Sequence, residues 1–241
     1  MDRHLEHGHH PGEIARRLER GPRASYLRDW VYGGIDGTVT TFAIMAGVIG
    51  ADLSAGAVII LGVANLLADG FSMAAANYTG TKTEHDEYER IRRMEERHVD
   101  LAPEGEREEV RQIFEAKGFR GEALETAVEV ITARRERWID TMMAEEHGMP
   151  PVIRSPLKAA LMTFVAFVLC GSVPVLPYAV GIPDPIWLAT FMTGLTFFAI
   201  GSLRSYWSVT PWWRAGLETL VIGLAAAGVA YAVGASLQGL I

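Results

Sequence analysis

Five stretches of this chain, 31–51, 55–79, 157–181, 186–203 and 215–237, are almost free of charge, while residues 80–150 are crowded with Glu, Arg, Asp and Lys. Each apolar stretch runs for about 18–25 residues, enough to cross a hydrocarbon core of about 30 Å as a helix. A soluble helical protein interleaves apolar and polar positions at helical spacing rather than sorting them into blocks. The pattern therefore predicts an all-α membrane protein with five transmembrane helices and a three-helix cytoplasmic insert between spans two and three. Four parts follow: an N-terminal segment over 1–30, spans one and two over 31–79, the charged insert over 80–150, and spans three to five over 151–241.

Span two runs without proline from NLLADGFSMAAANYTG into TKTEHDEYERIRRMEERHVD. Helix formers dominate there, so one long helix is predicted, ending at the turn LAPEGE around Pro103. A second insert helix is expected over 105–117, stopped by Gly118. A third is expected over 121–147, stopped by Gly148 and the Pro150–Pro151 pair. Pro156 suits the first turn of span three, and Pro174 and Pro177 should kink or break its outer end. Residues 12–20, GEIARRLER, read as a short amphipathic helix for the membrane surface. The sequence shows no strand pattern and no internal repeat.

Charge sets the expected orientation. With residues 1–30 in the cytoplasm, the inner segments are 1–30, 80–156 and 204–214, and every Lys and Arg falls on or beside one of them. The outer loops, DLS and IPDP, carry none, which is a strong positive-inside bias. The N-terminus and insert are thus expected in the cytoplasm and the C-terminus outside, in a bacterial plasma membrane on the Arg- and Ala-rich composition. Trp207, Trp212 and Trp213 read as an interfacial aromatic belt. The net charge of −7 is spread over interleaved signs, and no basic stripe points to nucleic acid. One cysteine, Cys170, excludes a disulfide within the chain and reads as a packing residue. Residues 1–30 lack the apolar core of a signal peptide, so span one is expected to act as the anchor. The histidines at 4, 7, 9 and 10 read as a solvated tail in preference to a loose metal site.

The candidate chemistry lies in two places. On the insert's first helix, Glu84, Glu87, Ile91, Glu95 and His98 fall within an arc of about 80° at helical spacing. Like charges so placed repel. Glu106 and Glu109 repeat the pattern on the second helix, and Met142, Met143 and Glu146, with His147 next, follow on the third. Carboxylate, imidazole and thioether together suit a borderline divalent metal such as Fe²⁺, Mn²⁺ or Co²⁺. On spacing alone, a solvated acidic helix is an equal alternative.

Within the spans, Asp36 and Asp69 are costly in hydrocarbon, and intramembrane acids face a bundle interior or a pathway. Asn65, Asp69, Met73 and Asn77 form one stripe along span two. The short loop 52–54 should pair spans one and two, with Gly33, Gly34 and Gly37 allowing close approach. Asp36 then reads as a cation or proton site, with a structural hydrogen bond as the plainer alternative. Glu218 is expected to pair with Arg214 one turn earlier.

The segments YGGIDGTVTTFAIMAGVIGA, SMAAANY, WIDTMMAEE, SPLKAALMTFVAFVLCGSVPVLPY and LETLVIGLAAAGVAY occur in that order. Over nearly the whole chain after residue 25, they resemble the vacuolar iron transporter family. The resemblance implies a five-span homodimer in the lipid bilayer with a pathway at the dimer interface lined by the first two spans. It implies export of divalent iron, and often manganese, from the cytosol in exchange for protons, with the insert collecting metal first. Cobalt and zinc are further candidate ions. No prosthetic group and no enzymatic activity are expected. Asp36 and Met73 match pathway residues of the family; Glu95, Glu106, Glu109, Glu146, Met142 and Met143 match insert ligands. Three departures stand out: Asn65 and Asn77 occupy positions where the family usually has Glu, and His98 stands at another glutamate position. Asp69 restores one charge a turn from Asn65. Two rival classes are a membrane-anchored metal sensor or buffer and a di-iron membrane oxidase. The latter usually needs Glu-x-x-His on each of two helices, and Glu95–His98 is the one such pair found in the insert.

Overall fold

Proline and glycine punctuate the chain much as the sequence requires, and helix is the only extended element among the described residues. The structure, a computed structural model, describes residues 8–22, 24–149 and 154–240. The histidines at 4 and 7 and the Pro150–Pro151 stop lie outside them. Ten α-helices follow in order: α1 (Pro11–Arg20), α2 (Leu27–Gly50), α3 (Ala55–Leu101), α4 (Pro103–Ala116), α5 (Gly121–Thr132), α6 (Arg135–Glu145), α7 (Pro156–Gly171), α8 (Leu176–Ala179), α9 (Pro185–Arg204) and α10 (Trp212–Leu237). Residues 25–83 and 155–240 belong to one compact unit, and 8–22, 24 and 84–149 with 154 to another.

Four helices, α2, α3, α10 and the run Pro185–Trp207, are long and apolar enough to cross a membrane. The predicted third span differs. Ser155 caps its start by accepting from the Lys158 amide at 3.5 Å. The helix then ends at Gly171, after 16 residues, and the chain turns before the four-residue α8. Pro174 has no amide to donate, so the ladder stops one turn before it.

In this unit α2 packs closely on α7, α10 and α9, and α10 packs on α9. Gly33 and Gly37 serve α7 and Gly34 meets side chains of α7 and α9, rather than span two, contrary to the sequence reading. A Cβ on Gly37 would sit 2.4 Å from the carbonyl oxygen of Phe167, and one on Gly33 would sit 2.3 Å from that of Thr163. Removing the side chains lets the two backbones meet. Met45, Val48, Val58 and Phe197 complete the core, with the Phe42 and Phe197 rings edge-on at 6.2 Å. Helix α3 joins α2 through side chains: Asn65 Nδ2 donates to the Thr40 and Thr41 hydroxyls at 3.1 and 3.2 Å. Glu218 pairs with Arg204 rather than Arg214, whose guanidinium lies 5.0 Å over the Trp213 ring.

The charged unit is built on the end of α3 with α4, α5 and α6, so the third predicted insert helix is two helices. The break falls at 133–134. Arg137 Nη1 reaches back across it to Val130 O at 2.9 Å, and Thr132 Oγ1 donates to Val128 O at 2.9 Å within α5. Val110, Val128, Trp138, Ile139, Met142 and Met143 fill its core. Ion pairs between helices, Arg92–Asp140 at 2.8 Å and Arg135–Asp100 at 3.0 Å, lie outside that core. Helix α1 matches the expected 12–20 helix and buries none of its residues.

Candidate functional site

In the charged unit the face of α3 predicted from spacing divides. Glu84 and Glu87 are exposed and join no cluster. Two turns beyond Glu87, Glu95 is only 1% exposed, and Glu106 of α4 is 4% exposed. A carboxylate that buried requires partners. Glu95 Oε1 lies 3.0 Å from His147 Nε2 and 4.0 Å from His98 Nδ1; His98 Nδ1 is 3.3 Å from Glu106 Oε1. His147 Nε2 is also 3.7 Å from Glu146. Two triads result, Glu95–Glu146–His147 and Glu95–His98–Glu106, each with ligand atoms within 4.8 Å of one another and with Glu95 common to both. The second oxygens of Glu95 and Glu106 are buried with no hydrogen-bond partner among the described residues. Buried polar atoms are almost always satisfied, so these two oxygens mark a place built to receive a donor or a cation.

Electrostatics agree with that reading. Burial, with the neighbouring charges of Glu109, Glu95 and Glu146, pushes the Glu106 carboxyl up from 4.5 to about 7. Burial also raises Glu146, an effect His147 opposes. Exposed Glu109 therefore acts on the cluster by charge. Met142 and Met143 are buried in the core of the unit, at 0% and 2% exposure. Their presence there is a packing role in its own right. Imidazole with carboxylate forms a mixed nitrogen and oxygen donor set, suited to first-row divalent metals.

The apolar unit holds the second set. Asn65, Asp69, Met73 and Asn77 are all half-buried along one stripe of α3, and Asp36 of α2 is half-buried as well. The Asp36 and Asp69 carboxylates lie close enough for their charges to repel. Asn65 donates to two threonines of α2, while its Oδ1 takes no hydrogen bond from a described residue. Asn77 is more heavily engaged. Its Nδ2 donates to Asp29 Oδ1 at 2.9 Å, Thr163 Oγ1 at 2.7 Å and Ala159 O at 3.3 Å, and its Oδ1 accepts from Thr81 at 3.3 Å. That amide ties α3 to α2 and α7.

Two residues escaped the sequence reading. His147 enters the sequence reading only as the neighbour of Glu146, yet it reaches a carboxylate 52 residues away; the acid–imidazole step Glu146–His147, three residues after Met143, is the available signal. Asp29 is 3% exposed, and the acid in the first turn of an apolar helix could have marked it.

An apolar helical unit in which four helices are long enough to cross a membrane, beside a separate acidic, histidine-bearing helical unit, fits a multi-pass membrane protein. The chain matches the VIT family over residues 27–235 and belongs to it. Among its relatives, vacuolar iron transporter 1 of Arabidopsis thaliana is 29% identical, covering 99% of this chain and 92% of the relative. A vacuolar iron transporter of Toxoplasma gondii is 33% identical over 89% of this chain and 75% of its own length. Another from Centaurea cyanus is 31% identical over 96% and 91%. All three are named as transporters, none as an enzyme.

Proposed function

We propose that this protein moves a divalent transition metal, iron first and manganese, cobalt or zinc as further cargo, out of the cytosol in exchange for protons. The observation that carries this reading is a pair of half-buried acids, Asp36 on α2 and Asp69 on α3, within apolar helices that Asn65 joins. Half-buried carboxylates in hydrocarbon are costly and serve ion or proton pathways. Family membership and the names of the relatives support the metal as cargo.

The working arrangement is a homodimer of five-span protomers, with α7 and α8 together as the third span. The N-terminus and insert face the cytoplasm and the C-terminus lies outside, in a bacterial plasma membrane. In the insert, Glu95, His98, Glu106, Glu146 and His147 collect the cation, Glu84, Glu87 and Glu109 raise its local concentration, and Met142 and Met143 add thioether donors. In the membrane, Asp36, Asp69 and Met73 receive it, with the free Oδ1 of Asn65 as a neutral oxygen ligand and Asn77 at the end of the stripe. A proton and a metal ion compete for one carboxylate, and that competition couples the two flows.

Proton-driven metal uptake into sealed liposomes tests the reading. The wild type should transport iron under a pH gradient, and the Asp36→Asn variant should not. Deleting roughly residues 85–147 separates a sensor from a transporter, since a transporter keeps residual flux. The two triads sharing Glu95 also bring a second histidine beside the Glu95–His98 pair, which an oxidase would need. A coloured, oxygen-reactive iron centre in the purified protein would favour that class instead.

A further inference from the structure

Beside the first turns of α2 lies a half-open groove of about 500 Å³ that the transport reading leaves unused. Its wall is Leu27, Val31, Tyr32 and Ile35 of α2, and its rim carries Arg28 and, from the end of α9, Arg204. These apolar residues recur at helical spacing over about 12 Å of helix, long enough for the upper part of one acyl chain. Trp207 closes the rim and is 61% exposed; Tyr32 is 63% exposed. Such amphipathic rings belong at headgroup level.

Charge decides what fits. Arg204 is neutralised by Glu218. Arg28 is exposed and makes no ion pair or hydrogen bond with a described residue. The groove is therefore apolar along its length and positive at one end. An anionic amphiphile meets both surfaces.

We propose that this groove holds one anionic glycerophospholipid, its phosphate at Arg28 and its chain along Val31 and Ile35. Arginine matches phosphate as a fork of donors, and basic pockets between spanning helices take anionic headgroups.

Native mass spectrometry of the full chain, released from detergent with equal amounts of phosphatidylglycerol and phosphatidylcholine, tests this. The wild type should retain one phosphatidylglycerol in preference to phosphatidylcholine. Arg28→Gln should cut that retention about fivefold, the effect of one basic side chain at a membrane surface. Val31→Trp, which fills the groove and leaves both arginines, should abolish it, and Ile35→Trp provides a second filling variant. Equal retention of the two lipids by the wild type would overturn the proposal, as would retention unchanged in all the variants. A disulfide between two copies carrying Tyr32→Cys would also overturn it, by showing a second chain in the groove.

Discussion

Glu95 Oε1 stands 3.0 Å from His147 Nε2, on a partner 52 residues further along the chain, while the other oxygen of the same carboxylate is buried without a partner among the described residues. A side chain so placed is held at one atom and available at the other, and His98 approaches the held oxygen from its own helix at 4.0 Å. If this is the insert's metal centre, Glu95→Gln and His147→Ala should each weaken Co²⁺ binding by at least about tenfold. Glu84→Gln, an exposed change outside the triads, should leave it unaltered. Titration calorimetry on the full chain in detergent reads both; unchanged affinity in the first two variants defeats the assignment.

The raised Glu106 carboxyl gives a pH dependence with a definite sign. Unfolded, the group takes its ordinary value of 4.5; folded, it titrates at about 7. Between those values the folded state binds more protons, so the contribution is fully present below pH 4.5 and is lost as pH rises towards 7. Metal binding needs the ionised form, so cobalt affinity should rise with pH over the same window. Melting curves across pH, with and without Co²⁺, should diverge most near neutrality. Glu106→Gln should flatten both trends.

Asp36→Asn removes the charge and keeps the shape. Proton-driven metal uptake should disappear while the protein still elutes as a folded species. Asp69→Asn should impair uptake too, because its charge bears directly on Asp36. Normal flux in both variants would leave the pathway without a carboxylate and end the mechanism.

Asn77 holds three elements together, and its loss should show as stability before transport. Asn77→Ala leaves Asp29 and Thr163, both buried, without that donor. The cost should be about 1–3 kcal/mol, read as a lower melting temperature in detergent.

Gly37→Ala tests the α2–α7 contact. The added methyl would lie 2.4 Å from the Phe167 carbonyl oxygen, so the helices must part, at a cost of about 1–3 kcal/mol. Gly12→Ala, where nothing lies within 4 Å, is the neutral control.

Much of this was legible from residue order. Hydrophobicity averaged over a turn or two is a local property, so the apolar helices, the long run of α3, the proline-interrupted outer end after α7 and the half-buried stripe from Asn65 to Asn77 were all visible in composition and period. The acidic face of α3 was visible too, because spacing fixes which residues share a side. Period says nothing, however, about what that side will meet. The glycines of α2 look equally suited to either neighbour, and packing chose α7. The break at 133–134 falls among ordinary helix formers, where only the long-range fit of α6 selects it. Glu84 and Glu95 are alike in sequence terms; burial separated them. His147 became a partner of Glu95, and Asn77 a clamp on Asp29, only when distant segments converged, since contacts between residues far apart in the chain depend on how whole helices pack.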